Sequence, residues 1–139
     1  MKQLTPKNTI TQQEALDEFL VHIREAFPER EPTRGGYVKI SQGGVGSPCV
    51  YVEVVNSFHV SASLQVRLEV DFAQSRELRK GLVYTVQCQV SWPSSIRSVS
   101  NAQACVTLYQ KMTSLGALIE SIAADLPPIV EWETEPASP

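Results

Sequence analysis

The sequence predicts an α+β protein, a two-layer sandwich in which a four-stranded antiparallel meander carries an N-terminal and a long C-terminal helix on one face, in the order α-β-β-β-β-α. Three observations predict it. Apolar residues recur at three- and four-residue steps near both ends of the chain, they alternate with polar residues in between, and the turn-forming stretches between successive strands are short, as antiparallel neighbours require. A chain of 139 residues makes a single domain, read as residues 1–128. Residues 129–139 follow, in which "IVEW" (129–132) can supply a short fifth strand at the sheet edge before a flexible, proline-containing tail.

The first helix opens at "TQQE", where Thr11 can cap the free amides while Glu14 reaches back, the reciprocal capping box. Leu16, Phe19, Leu20, Ile23 and Phe27 form its apolar stripe, and Pro28 stops it. The polar stretch "EREPTRGG" then leads into "YVKIS" (37–41) and "CVYVEVV" (49–55), two β-branched runs that read as a hairpin. The glycine-rich "SQGGVGSPC" between them is read as a turn. Gly44 and Gly46 begin a dinucleotide fingerprint, but Cys49 stands where its third glycine belongs, and a strand follows where phosphate binding needs a helix N-terminus.

The third strand carries the clearest signal in the chain. Val60, Ala62, Leu64, Val66, Leu68, Val70 and Phe72 alternate with polar residues, so one face is buried and the other wet. After the connection "AQSRELRKG" the alternation resumes: Leu82, Tyr84, Val86, Cys88, Val90 and Trp92 point inward, Thr85, Gln87, Gln89 and Ser91 outward, and Val83 is the apolar exception on the outer face. Pro93 ends this strand. Ser100 and Gln103 open the second helix, whose stripe runs through Cys105, Leu108, Tyr109, Met112, Leu115, Ile119, Ile122 and Leu126 until Pro127 and Pro128. Gly116 inside it marks a bend or a close approach to the sheet.

Composition narrows the function classes. The net charge of −3 and dispersed basic residues leave no broad footprint for a phosphate backbone. Three cysteines without CxxC spacing favour reduced thiols in a cytoplasmic protein, and the absence of a long apolar run argues against a membrane span. His22 and His59 lack the spacings of a metal site, and pairing Cys49 with His59 needs chance proximity across a hairpin. Glu69 and Asp71 share a face with Arg67, a mixed-charge pattern that serves solubility. No catalytic residue, cofactor or metal ligand is therefore expected.

What remains is a strand without charge. From Leu82 to Ile96 there is not a single charged residue, and in a four-stranded meander this strand lies at an edge, where natural sheets place lysines, prolines or covering segments. The tail strand, a second copy of the chain or a client peptide can occupy that edge. The leading expectation is a non-enzymatic protein-binding module of the chaperone, adaptor or inhibitor type, homodimeric or bound to a protein partner. Gln65, Arg67, Val83, Thr85, Gln87, Gln89 and Ser91 would make its recognition surface. A competing expectation is a small enzyme or ligand-binding protein with a pocket between helices and sheet near Tyr84, Cys88, Tyr109 or the histidines. A weaker one is nucleic-acid binding through the 76–80 basic loop, using Arg67, Arg76, Arg79, Lys80 and Arg97.

Overall fold

The computed structural model describes residues 4–33, 35–43, 48–56, 60–78, 80–91 and 99–133. Its elements are α1 (Gln12–Ala26), β1 (Arg30–Thr33), β2 (Gly36–Gly43), β3 (Cys49–Val55), β4 (Ser61–Val70), α2 (Phe72–Ser75), β5 (Gly81–Ser91), α3 (Val99–Asp125) and β6 (Ile129–Trp132), and a 3-10 turn (Pro6–Asn8) precedes them. The class is α+β, and the sheet is an antiparallel meander in the order β1-β2-β3-β4-β5-β6. It has six strands where four were expected, because the "IVEW" segment does pair and because "REPT" does too. β1 carries no apolar alternation, since all of its residues are exposed, so the hydrophobic pattern could not announce it.

β1 is held by its turn. Gly36 has φ +98°, and a Cβ there would lie 1.8 Å from Val55 O, so only glycine allows the chain to fold back against β3 at this point. Thr33 Oγ1 accepts from the Gly35 amide at 3.2 Å, and Arg30 donates to Gly35 O at 3.0 Å, closing the corner. Across the β2–β3 hairpin, Gly43 pairs with Cys49 and Tyr37 with Val55. The glycine turn at 44–47 lies outside the described residues, as do Trp92 and His59.

α1 is capped as its sequence directs. Thr11 Oγ1 accepts from the Glu14 amide and Glu14 Oε1 accepts from the Thr11 amide, both at 3.1 Å. Its stripe of Leu16, Phe19, Leu20 and Ile23 joins Cys105, Leu108, Met112, Leu115 and Ile119 of α3 over the inward side chains of β3 and β4. The residues of β2, β3 and β4 in this cluster are all even-numbered, and Ile129 of β6 joins them through its pairing with Tyr84, so both long helices cover one face. At Gly116 of α3 a Cβ would meet Leu64 Cδ1 at 3.5 Å and Cys88 Cβ at 3.7 Å.

The β4–β5 junction departs from the sequence reading. β4 ends at Val70, and Phe72, expected to point inward, is exposed. Asp71 is the reason: its Oδ1 accepts from the Gln74 amide at 3.0 Å and its Oδ2 from the Gln74 side chain at 3.0 Å, which nucleates the one-turn α2. Leu82, also expected inside, lies beyond the last β4 pairing at Val70↔Tyr84 and is exposed. Its neighbour Val83 is only 3% exposed. Val83 pairs with buried Val130 on the face away from the long helices, and neither belongs to the main core cluster. A small second core thus sits where α2 meets β5.

Two substitutions test this packing. Gly116→Ala adds a side chain at ordinary contact distance in a helix interior and is expected to stabilise by about 1 kcal/mol, raising the melting midpoint by roughly 3–5 °C. Gly36→Ala is expected to cost about 2–4 kcal/mol, because the backbone must move away from Val55 O. Thermal and urea denaturation of both variants measure these shifts.

Candidate protein-interaction surface

The face of the sheet away from the helices is built by odd-numbered residues of β3, β4 and β5. Register places them in rows: Tyr51, Gln65 and Gln89 across one, Cys49, Arg67 and Gln87 across the next, Glu53, Ser63 and Ser91 on the other side, and Glu69 beside Thr85. Of the expected recognition residues, Gln65, Arg67, Thr85, Gln87, Gln89 and Ser91 are brought together here. Val83 is not, because it is buried in the second core. Arg67 and Glu69 lie two apart on this face and form an ion pair at 2.7 Å, with both side chains more than a third exposed. Such a pair adds little stability, but it cancels the two charges nearest the glutamines.

The β5 border is covered only in part. β6 pairs with Gly81–Tyr84, ending at Tyr84↔Ile129, and no described strand lies beside Thr85–Ser91. β6 itself is pinned from its other side: Ile10 N–H donates to Pro128 O and Val130 N–H to Ile10 O, both at 2.9 Å. Gln12 N–H donates to Glu131 Oε1 and Trp132 Nε1 to Thr9 Oγ1, both at 3.1 Å. The residue next in line to pair with Val86 is Pro127, which has no N–H, so the ladder cannot extend.

Backbone direction along the open half follows from the bonds around it. Leu68 N–H donates to Pro48 O at 3.0 Å, so even residues of β4 turn toward β3 and odd ones toward β5. Val83 O accepts from the Asp71 amide at 2.8 Å and Val83 N–H donates to Ser75 Oγ at 2.9 Å, so odd residues of β5 turn back toward β4 and α2. Alternation therefore turns the N–H and C=O of Val86, Cys88 and Val90 outward, to the border with no described strand. Their side chains face the helix layer and are only half-buried, whereas Leu64, Val66 and Leu68 one strand further in are fully buried. α3 packs over this strand at Gly116, yet the side chains stay partly accessible along its outer margin. A depression of about 370 Å³ lies where β6 stops, lined by Tyr84, Val86, Glu120, Ala123 and Ile129 among others.

A larger groove of about 860 Å³ opens at the other end of the layers. Phe27, Val38, Val54, Ala104 and Leu108 line it, with Lys111 and Arg30 among its polar residues. The Lys111 ammonium lies 5.3 Å from the Phe27 ring centroid, a cation–π contact. This is the interlayer cavity that the competing reading asks for, but Cys88, Tyr109 and His22 do not line it. Nothing in the sequence pattern marks it.

The remaining candidates are placed as follows. His22 lies 3.6 Å from Glu18 one helical turn away, and Cys49 Sγ donates to Gly43 O at 3.2 Å. All three cysteines are free, and among the described residues no three His, Cys, Asp or Glu side chains converge as metal ligands would. In the basic set Arg67 is engaged by Glu69, while Arg79 and Arg97 lie outside the described residues. No described helix is long and apolar enough to cross a membrane. Tyr37 donates its phenol to the Glu53 carboxylate, which raises its pKa, because ionisation would lose that bond. Comparison with protein-family models, with curated proteins and with solved structures finds no match to the chain.

At the centre of the open half, burial and then the nearby Glu120 carboxylate push the Cys88 thiol up from 9.0 to about 11. The native state therefore holds this proton more tightly than the unfolded chain does. The associated stability is complete below about pH 9 and is lost as pH rises through about 11. Cys88→Val, which keeps the volume and removes the titration, is expected to flatten the fall in stability between those limits, as read by urea denaturation across the alkaline range.

Proposed function

We propose that this chain is a non-enzymatic protein-binding module that takes an extended segment of another chain as an added strand on the open half of β5. The observation that carries this reading is the half-covered border: Val86, Cys88 and Val90 present backbone donors and acceptors, flanked by the neutral carpet of Thr85, Gln87, Gln89 and Ser91. Strand addition draws affinity from main-chain bonds and selectivity from alternate side-chain positions. Here one set of positions meets amides and hydroxyls, whose desolvation costs far less than that of charges. The other set meets the outer margin of α3 and the depression beside Ile129.

A library of random heptapeptides displayed on phage tests the reading. Selection on the wild-type chain is expected to enrich uncharged segments with alternating β-branched residues. Cys88→Pro removes one border-facing N–H while leaving the β4-facing groups of Gln87 and Gln89 in place, and is expected to abolish capture with a cooperative melt retained. Failure of a monomeric chain to enrich any sequence, or equal capture by Cys88→Pro, overturns the reading.

The interlayer groove favours a second reading, binding of a small apolar molecule bearing an anionic group, with Phe27, Val54 and Leu108 against its body and Lys111 near its charge. 1-Anilinonaphthalene-8-sulfonate serves as probe: bound fluorescence that Leu108→Trp and Lys111→Glu each reduce supports it, and fluorescence indifferent to both overturns it.

A further inference from the structure

The open half of β5 is a palindrome. Thr85-Val86-Gln87-Cys88-Gln89-Val90-Ser91 reads alike in both directions, apart from exchange of one hydroxyl residue for another at its ends. One limit is set independently of its sequence, since Ile129 takes the border at Tyr84, and the described part of β5 runs from there to Ser91. Cys88 is the midpoint of the palindrome.

We infer that a second copy of this chain occupies the border, pairing β5 with β5 in antiparallel fashion about a two-fold axis at Cys88. The inference rests on the strand-addition reading above and names the occupant. A two-fold contact is self-complementary: what residue i does to j, j does to i. With the axis at Cys88, Val86 faces Val90 of the second copy, Gln87 faces its Gln89, and Thr85 faces its Ser91. Each pair is thus alike in chemistry, β-branched on β-branched, amide on amide, hydroxyl on hydroxyl, the kinds of cross-strand pair that sheets favour.

Backbone parity agrees with this axis. Val86, Cys88 and Val90 turn their N–H and C=O outward, so Cys88 meets its own image as a hydrogen-bonded pair and Val86 meets Val90 in the same way. A charge beside a two-fold axis faces its own image, and the window carries none. The result is one sheet continuous through both copies, with the glutamines of both on its open face.

Mass and register test the inference separately. Light scattering is expected to give twice 15.4 kDa for the wild type, and a fall toward 15.4 kDa on joint Gln87→Lys and Gln89→Lys, which sets lysine opposite lysine. For register, Cys49→Ser and Cys88→Ala remove the other accessible thiols, and Gln87→Cys and Gln89→Cys are introduced in separate chains. Non-hydrogen-bonded partners have Cα atoms about 4.5 Å apart, within disulfide reach, so air oxidation with copper–phenanthroline joins two thiols as a disulfide while oxygen takes up the electrons and protons. The mixed chains are expected to give about fivefold more covalent dimer than either alone, since position 87 meets 89 and not itself. Equal cross-linking in Gln87→Cys alone moves the axis and overturns the inference, as does a mass of 15.4 kDa at every concentration. The two readings fail apart from one another. A monomer that selects heptapeptides overturns self-pairing and leaves strand addition standing. A dimer that selects none sustains self-pairing and removes the client peptide.

Discussion

The open border of this sheet depends on where the β5–β6 ladder stops, and that point is set by Pro127 and Pro128. They end α3, turn the chain back along β5 and, lacking N–H groups, deny it any pairing before Ile129. Anchoring from the N-terminal side is equally strict, because the Ile10 backbone bonds to Pro128 and Val130 fix β6 lengthwise. β6 therefore cannot slide along β5 to cover more of it. A closing strand with two free residues in place of the prolines would have extended the cover to Thr85 and Val86 and shortened the open stretch accordingly.

The two faces of the sheet divide the work. Under α1 and α3 the side chains of β3 and β4 are buried, with Gly116 letting the helix backbone settle against Leu64 and Cys88. On the other face only the corner at α2 is sealed, by Val83 and Val130, and that seal depends on Asp71 starting a helical turn where the strand pattern would have continued. The remainder stays polar. Arg67 and Glu69, beside the glutamine rows, pair with each other.

Much of this was legible in the sequence, and the omissions share a cause. Period-two runs located β4 and the long part of β5, and the Thr11–Glu14 box and the apolar stripes located both long helices, because those elements form by burying one face. β1 forms from a glycine turn, backbone pairing and the hydrogen bonds of the Thr33 and Arg30 side chains, so no apolar pattern could reveal it. Phe72 was misplaced because alternation continued past a residue, Asp71, whose capping bonds outweighed it, although Gln74 three positions on was a readable sign. Val83 looked like a stray apolar residue on a wet face until the return of Val130 gave it a partner some fifty positions along the chain. All seven residues proposed for recognition share one face because strand parity fixes direction, although Val83 is buried there, whereas the groove at Phe27 arises from how the two long helices meet β1, β2 and β3 and leaves no local trace.

The opposite border of the sheet has a different character. β1 pairs with β2 only through Arg30↔Val38 and Thr33↔Gly36, and it carries Arg30, Glu31 and Pro32 outward, while Lys39 stands on the uncovered stretch of β2. Short, charged, proline-bearing margins of this kind resist annexation by another strand. If β5 takes a partner strand as proposed, one receptive margin and one blunt margin let the molecule gain a single neighbour without propagating a ribbon, so its own geometry would set an upper bound on growth.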